Sequence, residues 1–215
     1  MKVREPLNAY THLIGIVFSI VALVVLIITG VIRQNGVSLV GGIIFGLSMI
    51  LLYSASTIYH SYTGKQSVIL KLRKIDHAMI FVLIAGTYTP ICLTVLRGPL
   101  GYGLLIGVWV LAIVGIITKV FFINMPRALS AAMYLFLGWI SILFISPLFK
   151  ALPLNGFIWL VLGGLMYTVG SIFYATKSDK IRIGNFGFHE IFHLFIMAGS
   201  LAHFILIQQY VVGIA

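Results

Sequence analysis

Long apolar runs alternate with short polar breaks along the whole chain. The runs cover roughly 10–32, 38–60, 77–96, 101–123, 129–149, 154–175 and 187–211. Each is close to the about 20 residues that cross a bilayer core as a helix. None shows the ten-residue alternation of apolar and polar positions that marks an outer-membrane strand. The breaks, Arg33–Gly36, Ser61–Gln66, Arg97–Gly101, Asn124–Arg127, Pro153–Gly156 and Thr176–Asn185, are built from turn-forming and charged residues. There is no internal repeat, low-complexity tract or linker. The pattern predicts a single domain over residues 1–215: an all-α integral membrane protein, a bundle of seven transmembrane helices.

Composition hardens that reading. Hydrophobic residues make up 61% of the 215 and charged residues 8%, against about 25% charged in a soluble domain. The chain cannot cover a water-facing surface. Its start resembles a secretory signal, but Leu13–Ile32 is too long for a signal core and lacks a small-x-small cleavage site, so the first helix is expected to stay. Cys92 stands alone and forms no internal disulfide.

The charge balance then orients the bundle. Lys and Arg number 14 against 4 Asp and Glu, a formal charge of +10. Lys2, Arg4, Lys65, Lys71, Arg73, Lys74, Lys119, Arg127, Lys177, Lys180 and Arg182 fall on one side of the seven-helix plan. Arg33, Arg97 and Lys150 fall on the other. Cytoplasmic loops retain basic residues during insertion, so the N terminus is predicted in the cytoplasm and the C terminus outside. The same bias explains the positive balance without a nucleic-acid partner. Gly42-xxx-Gly46 and Gly103-xxx-Gly107 are small-residue pairs of the kind that let helices pack closely. Pro90 is expected to break or kink the third helix.

Ionisable residues inside membrane spans are costly and mark candidate sites. Here they are His12, His60, Asp76, His77, His189, Glu190, His193 and His203. Most sit at the helix ends assigned to the cytoplasmic leaflet, brought there by four separate helices. His189 and His193, four residues apart, project from one helix face and can chelate one Zn²⁺, with His60 as a third nitrogen. Ser56, one turn before His60, and Asp76 are placed to hold water or a ligand; equally, Asp76 reads as a helix N-cap and Ser56 as a packing residue. His77 points away from Asp76 and reads as interfacial. His203, about 15 Å further along its helix than His193, reads as a buried hydrogen-bonding residue. The segment His189–His193 also fits the HExxH pattern of metalloproteases. No acidic ligand follows His193, so proteolysis ranks low, and Glu190 reads as a cap or loop-facing residue.

Several motifs occur together along the chain: Glu5, Asn8, Thr11 and His12; Ser56, Tyr59 and His60; Asp76 and His77; Ala85–Pro90; Tyr134 to Trp139; and His189, Glu190 and His193. The set resembles the bacterial hemolysin III proteins, which group with the progestin and adipoQ receptors and more distantly with alkaline ceramidases. The resemblance covers essentially the whole chain. It implies a zinc ion held by His60, His189 and His193, with Ser56 and Asp76 flanking the metal and its water, and an N-in, C-out topology. The animal receptors carry a long N-terminal extension, whereas this chain starts almost at its first helix, which leaves a soluble signalling partner undetermined.

Those residues imply membrane lipids as the partners, in a bacterial plasma membrane. The leading expectation is a zinc-dependent hydrolase of a lipid amide or ester, of ceramidase-like type, with Asp76 and Ser56 in the catalytic roles. A non-enzymatic sensor or regulator of lipid state, stapled by zinc, is the alternative. A cytolysin is disfavoured because pore formers have a water-soluble form. A transporter is disfavoured because the sequence shows no repeat.

Overall fold

The computed structural model describes residues 3–176, 182 and 184–213. Seven helices long and apolar enough to cross a membrane make up the fold: α1 Pro6–Ile32, α2 Gly36–Ser61, α3 Gln66–Val95, α4 Pro99–Phe121, α5 Arg127–Ala151, α6 Leu154–Thr176 and α7 Phe188–Val212. No strand is present among the described residues. The protein is a multi-pass, all-α membrane protein. Lys2, Lys177 and Lys180, used above for orientation, lie outside the described residues.

Local sequence explains where the helices begin. Pro6 opens α1 at a first-turn position, where its missing N–H costs nothing. Asn35 caps α2, its Oδ1 accepting from the N–H groups of Val37 and Ser38 at 3.1 Å each. The largest departure from expectation is α3, which starts at Gln66 rather than near 77. Its first turns interleave Val68, Leu70 and Leu72 with Lys71, Arg73 and Lys74, whose long stems can lie on apolar surface while their charges reach water. Asp76 is therefore ten residues inside the helix and buried, and is not an N-cap.

Three helices change pitch along their length: α3, α5 and α7, the last closing on a π-helical turn at Gln208–Val212. Pro90 does not break α3; the chain widens into a π-helical turn at Ile91–Val95, and Thr94 Oγ1 donates to the Pro90 carbonyl at 2.6 Å. In α5 a 3₁₀ stretch over Ile140–Phe144 separates two α-helical pieces. The irregular stretches in α3 and α5 border the interior cavity described below.

Packing follows chain order, α1 on α2, α2 on α3, α3 on α4, α6 on α7, with α7 returning to α1. One core cluster joins α1, α2 and α7 through Leu26, Phe45, Tyr53 and Ile207; another joins α3, α4 and α5 through Phe81, Val108 and Leu137. Ile14, Val17, Ile106, Phe136 and Leu143 point outward and are exposed, the surface a bilayer would cover. Lipid is as apolar as those side chains, so close packing has to hold the bundle together. At Gly41 a Cβ would lie 2.7 Å from Pro90 Cα, and at Gly46 one would lie 2.8 Å from Leu23 Cδ1. Gly103 and Gly107 meet nothing within 4 Å, so that pair is not a packing seam. Lys119, counted above as a loop charge, is buried at the end of α4, where its Nζ donates to Ser130 Oγ at 2.7 Å.

Candidate metal centre

The bundle gathers five of its six histidines at one end. His12 comes from the second turn of α1, His60 from the last turn of α2, His77 from α3, and His189 and His193 from the first turns of α7. His60, His189 and His193 each offer one ring nitrogen, and these three atoms lie within 4.8 Å of one another. His60 and His193 are buried and His189 is partly so. His12 stacks flat on His193, ring centroids 3.6 Å apart, and meets Tyr53 edge-on.

Hydrogen bonds behind the rings decide which nitrogens face inward. His60 Nδ1 is bonded to Glu5 Oε2. Glu5 stands just before α1, and accepting that bond, more than any other influence, draws its carboxyl from an ordinary 4.5 to about 2, against the opposite pull of partial burial. It is thus ionised at neutral pH and only accepts. His60 Nδ1 therefore donates to it, which leaves Nε2 as the nitrogen facing His189. The Glu5 backbone N–H also donates to the His60 carbonyl at 3.0 Å, and Arg4 Nε donates to Glu5 Oε1 at 3.1 Å. Thr11, on α1, spends its hydroxyl proton on the Asn8 carbonyl at 2.9 Å, so its Oγ1 accepts from Nδ1 of His193 on α7 at 3.2 Å. His193 likewise turns Nε2 inward.

That donor set fits a metal ion. The Nε2 atoms of His60 and His189 are 3.4 Å apart. Two nitrogens on a tetrahedral zinc, each at 2.0–2.1 Å, would be about 3.3 Å apart. Carboxylate and hydroxyl groups fixing the rings from behind are the usual outer shell of such sites. The geometry suits a small cation of the Zn²⁺ type without selecting it over its neighbours in the transition series.

Around the triad the remaining residues take different places. Ser56 and Asp76 are buried and line a cavity together with His12, His77, His189 and His193. Ser56 Oγ, both ring nitrogens of His12 and His77 Nδ1 have no hydrogen-bond partner among the described residues. His77 is therefore an interior residue and not an interfacial one. Glu190 turns away: its Oε2 accepts from the Gly187 N–H at 3.0 Å and caps α7. HExxH here is a capped helix start with two inward histidines, and its Glu is no base beside them.

The cavity, about 140 Å³, runs from this polar end between α3, α5, α6 and α7. From Tyr174 to Phe157 on α6 its lining spans 17 residues, about 25 Å of helix. Beyond that end its walls are largely Leu, Ile, Val and Phe, interrupted by polar side chains such as Thr87, Tyr88, Ser141, Thr168 and Ser171.

Glu5 and Thr11 carry the outer shell, and sequence reasoning gave neither a role. The available signal was their spacing: Glu5, Asn8 and Thr11 recur every three residues beside His12, a polar stripe on an otherwise apolar helix.

The sequence profile of the haemolysin-III related family matches residues 1–204. The chain belongs to that family. Among haemolysin-III relatives, the "Hemolysin-3 homolog" of Bacillus subtilis (strain 168) is 44% identical over 211 residues, covering 98% of this chain and 96% of that protein. "Hemolysin-3" of Bacillus cereus is 42% identical over 213 residues, covering 99% and 94%. The human "Monocyte to macrophage differentiation factor" is 28% identical over 174 residues, covering 78% of this chain and 68% of that protein. A place in a bacterial plasma membrane is consistent with the two bacterial haemolysin-III relatives and the seven apolar helices.

Proposed function

We propose that the protein is a zinc-dependent hydrolase of a lipid amide or ester, working from the histidine end of the bundle. The observation that carries this reading is the union of a three-nitrogen donor set with an apolar cavity leading away from it. His60, His189 and His193 would hold the ion through Nε2. Such an ion supplies Lewis acidity, polarising a carbonyl and making water acidic enough to attack near neutral pH.

The chain's own residues do the rest. The apolar cavity takes the acyl chain and excludes bulk water, which sets the carbonyl at the histidine end. Asp76, among the described residues the one buried carboxylate lining the cavity there, accepts a proton from water on a carboxylate oxygen as water bonds to the carbonyl carbon. It then returns that proton to the leaving nitrogen or oxygen as the C–N or C–O bond breaks. Ser56 Oγ, free of protein partners, donates a hydrogen bond that orients the water or the carbonyl. The products are a carboxylic acid and an amine or alcohol.

The test pairs metal analysis with lipid product profiling on purified protein. Wild type is expected to carry about one zinc and release fatty acid from an amide or ester pool. Asp76→Asn should keep the metal and lose about 10²–10⁴-fold in turnover, and His189→Ala should lose both. Full turnover after His189→Ala with zinc removed would sink the reading.

A second reading has its own support. The triad ties the end of α2 to the start of α7, and Glu5 and Thr11 tie α1 to both. A metal there would act as a staple in a sensor of lipid state. Metal content and thermal stability falling together in His60→Ala, with no product from any lipid pool, would favour the staple over the hydrolase.

A further inference from the structure

His203 sits on α7 ten residues beyond His193, about 15 Å from the triad along the helix axis. It is 5% exposed and lines the cavity. The ring is held on three sides. Tyr167 stacks on it, 13° from parallel with centroids 5.2 Å apart. Gly163 passes so close that a Cβ there would lie 2.3 Å from the ring. His203 Nδ1 is bonded to the Gly199 carbonyl at 2.8 Å. A carbonyl only accepts, so Nδ1 carries the proton, and the neutral ring keeps a lone pair on Nε2. That nitrogen has no partner among the described residues.

Nearby polar groups bond one another and not His203. Tyr53 OH donates to Ser200 Oγ at 2.7 Å, and Tyr167 OH bonds the same oxygen at 3.0 Å. Trp139 Nε1 donates to Thr168 Oγ1 at 2.9 Å, and Thr168 gives its own proton to the Gly164 carbonyl. The cavity's middle therefore carries a rigidly held acceptor to which no described residue donates, between largely apolar stretches of wall. A lone acceptor in such surroundings is costly unless something donates to it.

We propose that His203 is a recognition point for a hydroxyl carried part-way along a lipid chain lying in the cavity. This rests on the preceding reading only so far as that reading puts a lipid chain there; it does not depend on any reaction. His203 acts on specificity and touches no reacting atom. A plain saturated chain would bury Nε2 unpaired, whereas a chain with a hydroxyl at the right depth would donate to it.

The experiment measures binding of free fatty acids, which offer no bond to hydrolyse, so its outcome is separate from the hydrolase question. Purified full-length protein in detergent is loaded with radiolabelled stearate and challenged with stearate or a series of monohydroxystearates. One mid-chain position should compete better than stearate by about fivefold, the worth of one neutral hydrogen bond. His203→Phe, which keeps a ring but has no acceptor, should erase that preference. His203→Gln should retain part of it, and Gly163→Ala, which pushes the ring aside, should weaken it while stearate still binds. Equal competition at every position means that water alone satisfies the nitrogen, and overturns the proposal. So does a preference that survives His203→Phe, or the absence of saturable binding by any chain.

Discussion

Glu5 and Thr11 meet their histidines across 55 and 182 residues of sequence, and each leaves a ring nitrogen facing the cluster. If the triad binds metal, these outer partners set its strength. Glu5→Gln keeps an acceptor for His60 but removes the charge, and Glu5→Ala removes both. Zinc affinity should fall by about 10–100-fold for either substitution, further for Ala than for Gln, measured by competition with a chromophoric chelator. Thr11→Val should act in the same direction through His193. Affinity unchanged in all three would mean that the rings need no support from α1. The histidines were legible in the sequence because two share a helix face at a chelating spacing and the third lies at a matching depth. Their partners were not, since a contact between Glu5 and His60 depends on how α1 lies along α2. Asp76 was misjudged for a related reason: with Lys71, Arg73 and Lys74 before it, the polar segment looks like a loop feeding a helix and not the helix itself.

At the level of elements, apolar periodicity located all seven helices but not what holds them together. Gly42-xxx-Gly46 and Gly103-xxx-Gly107 look equivalent on paper. The first lies against α1, where Gly46 would drive a Cβ into Leu23, while the second faces open space. Sequence supplies the spacing of small residues but not the face a helix turns to its neighbour. Gly41, outside both pairs, approaches the α3 backbone closely at Pro90. No flexible side chain can give way there, so Gly41→Ala should destabilise by about 1–3 kcal/mol. Gly103→Ala should be neutral or stabilise by up to about 1 kcal/mol through helix propensity. Thermal or denaturant unfolding in detergent distinguishes the two. Equal losses at both positions would contradict the packing described for α2 and α3.

For the whole molecule, the distribution of charge makes a claim the fold leaves open, namely which end of the bundle faces the cytoplasm. Arg4, Lys65, Lys71, Arg73, Lys74 and Arg127 lie at the histidine end, and Arg33, Arg97 and Lys150 at the other. The positive-inside bias therefore predicts the histidine cluster in the cytoplasmic leaflet. Thr63, in the break between α2 and α3, and Asn155, at the start of α6, are exposed at opposite ends. Neither is charged, so replacing either by cysteine leaves the bias intact. Cys92 is buried and should stay silent. With a membrane-impermeant maleimide, Asn155→Cys should label in intact cells and Thr63→Cys only after permeabilisation. The reverse pattern would place Glu5, the triad and the cavity mouth at the outer leaflet. Any lipid drawn on by the site would then come from the outer leaflet, and the substrate search would have to move with it.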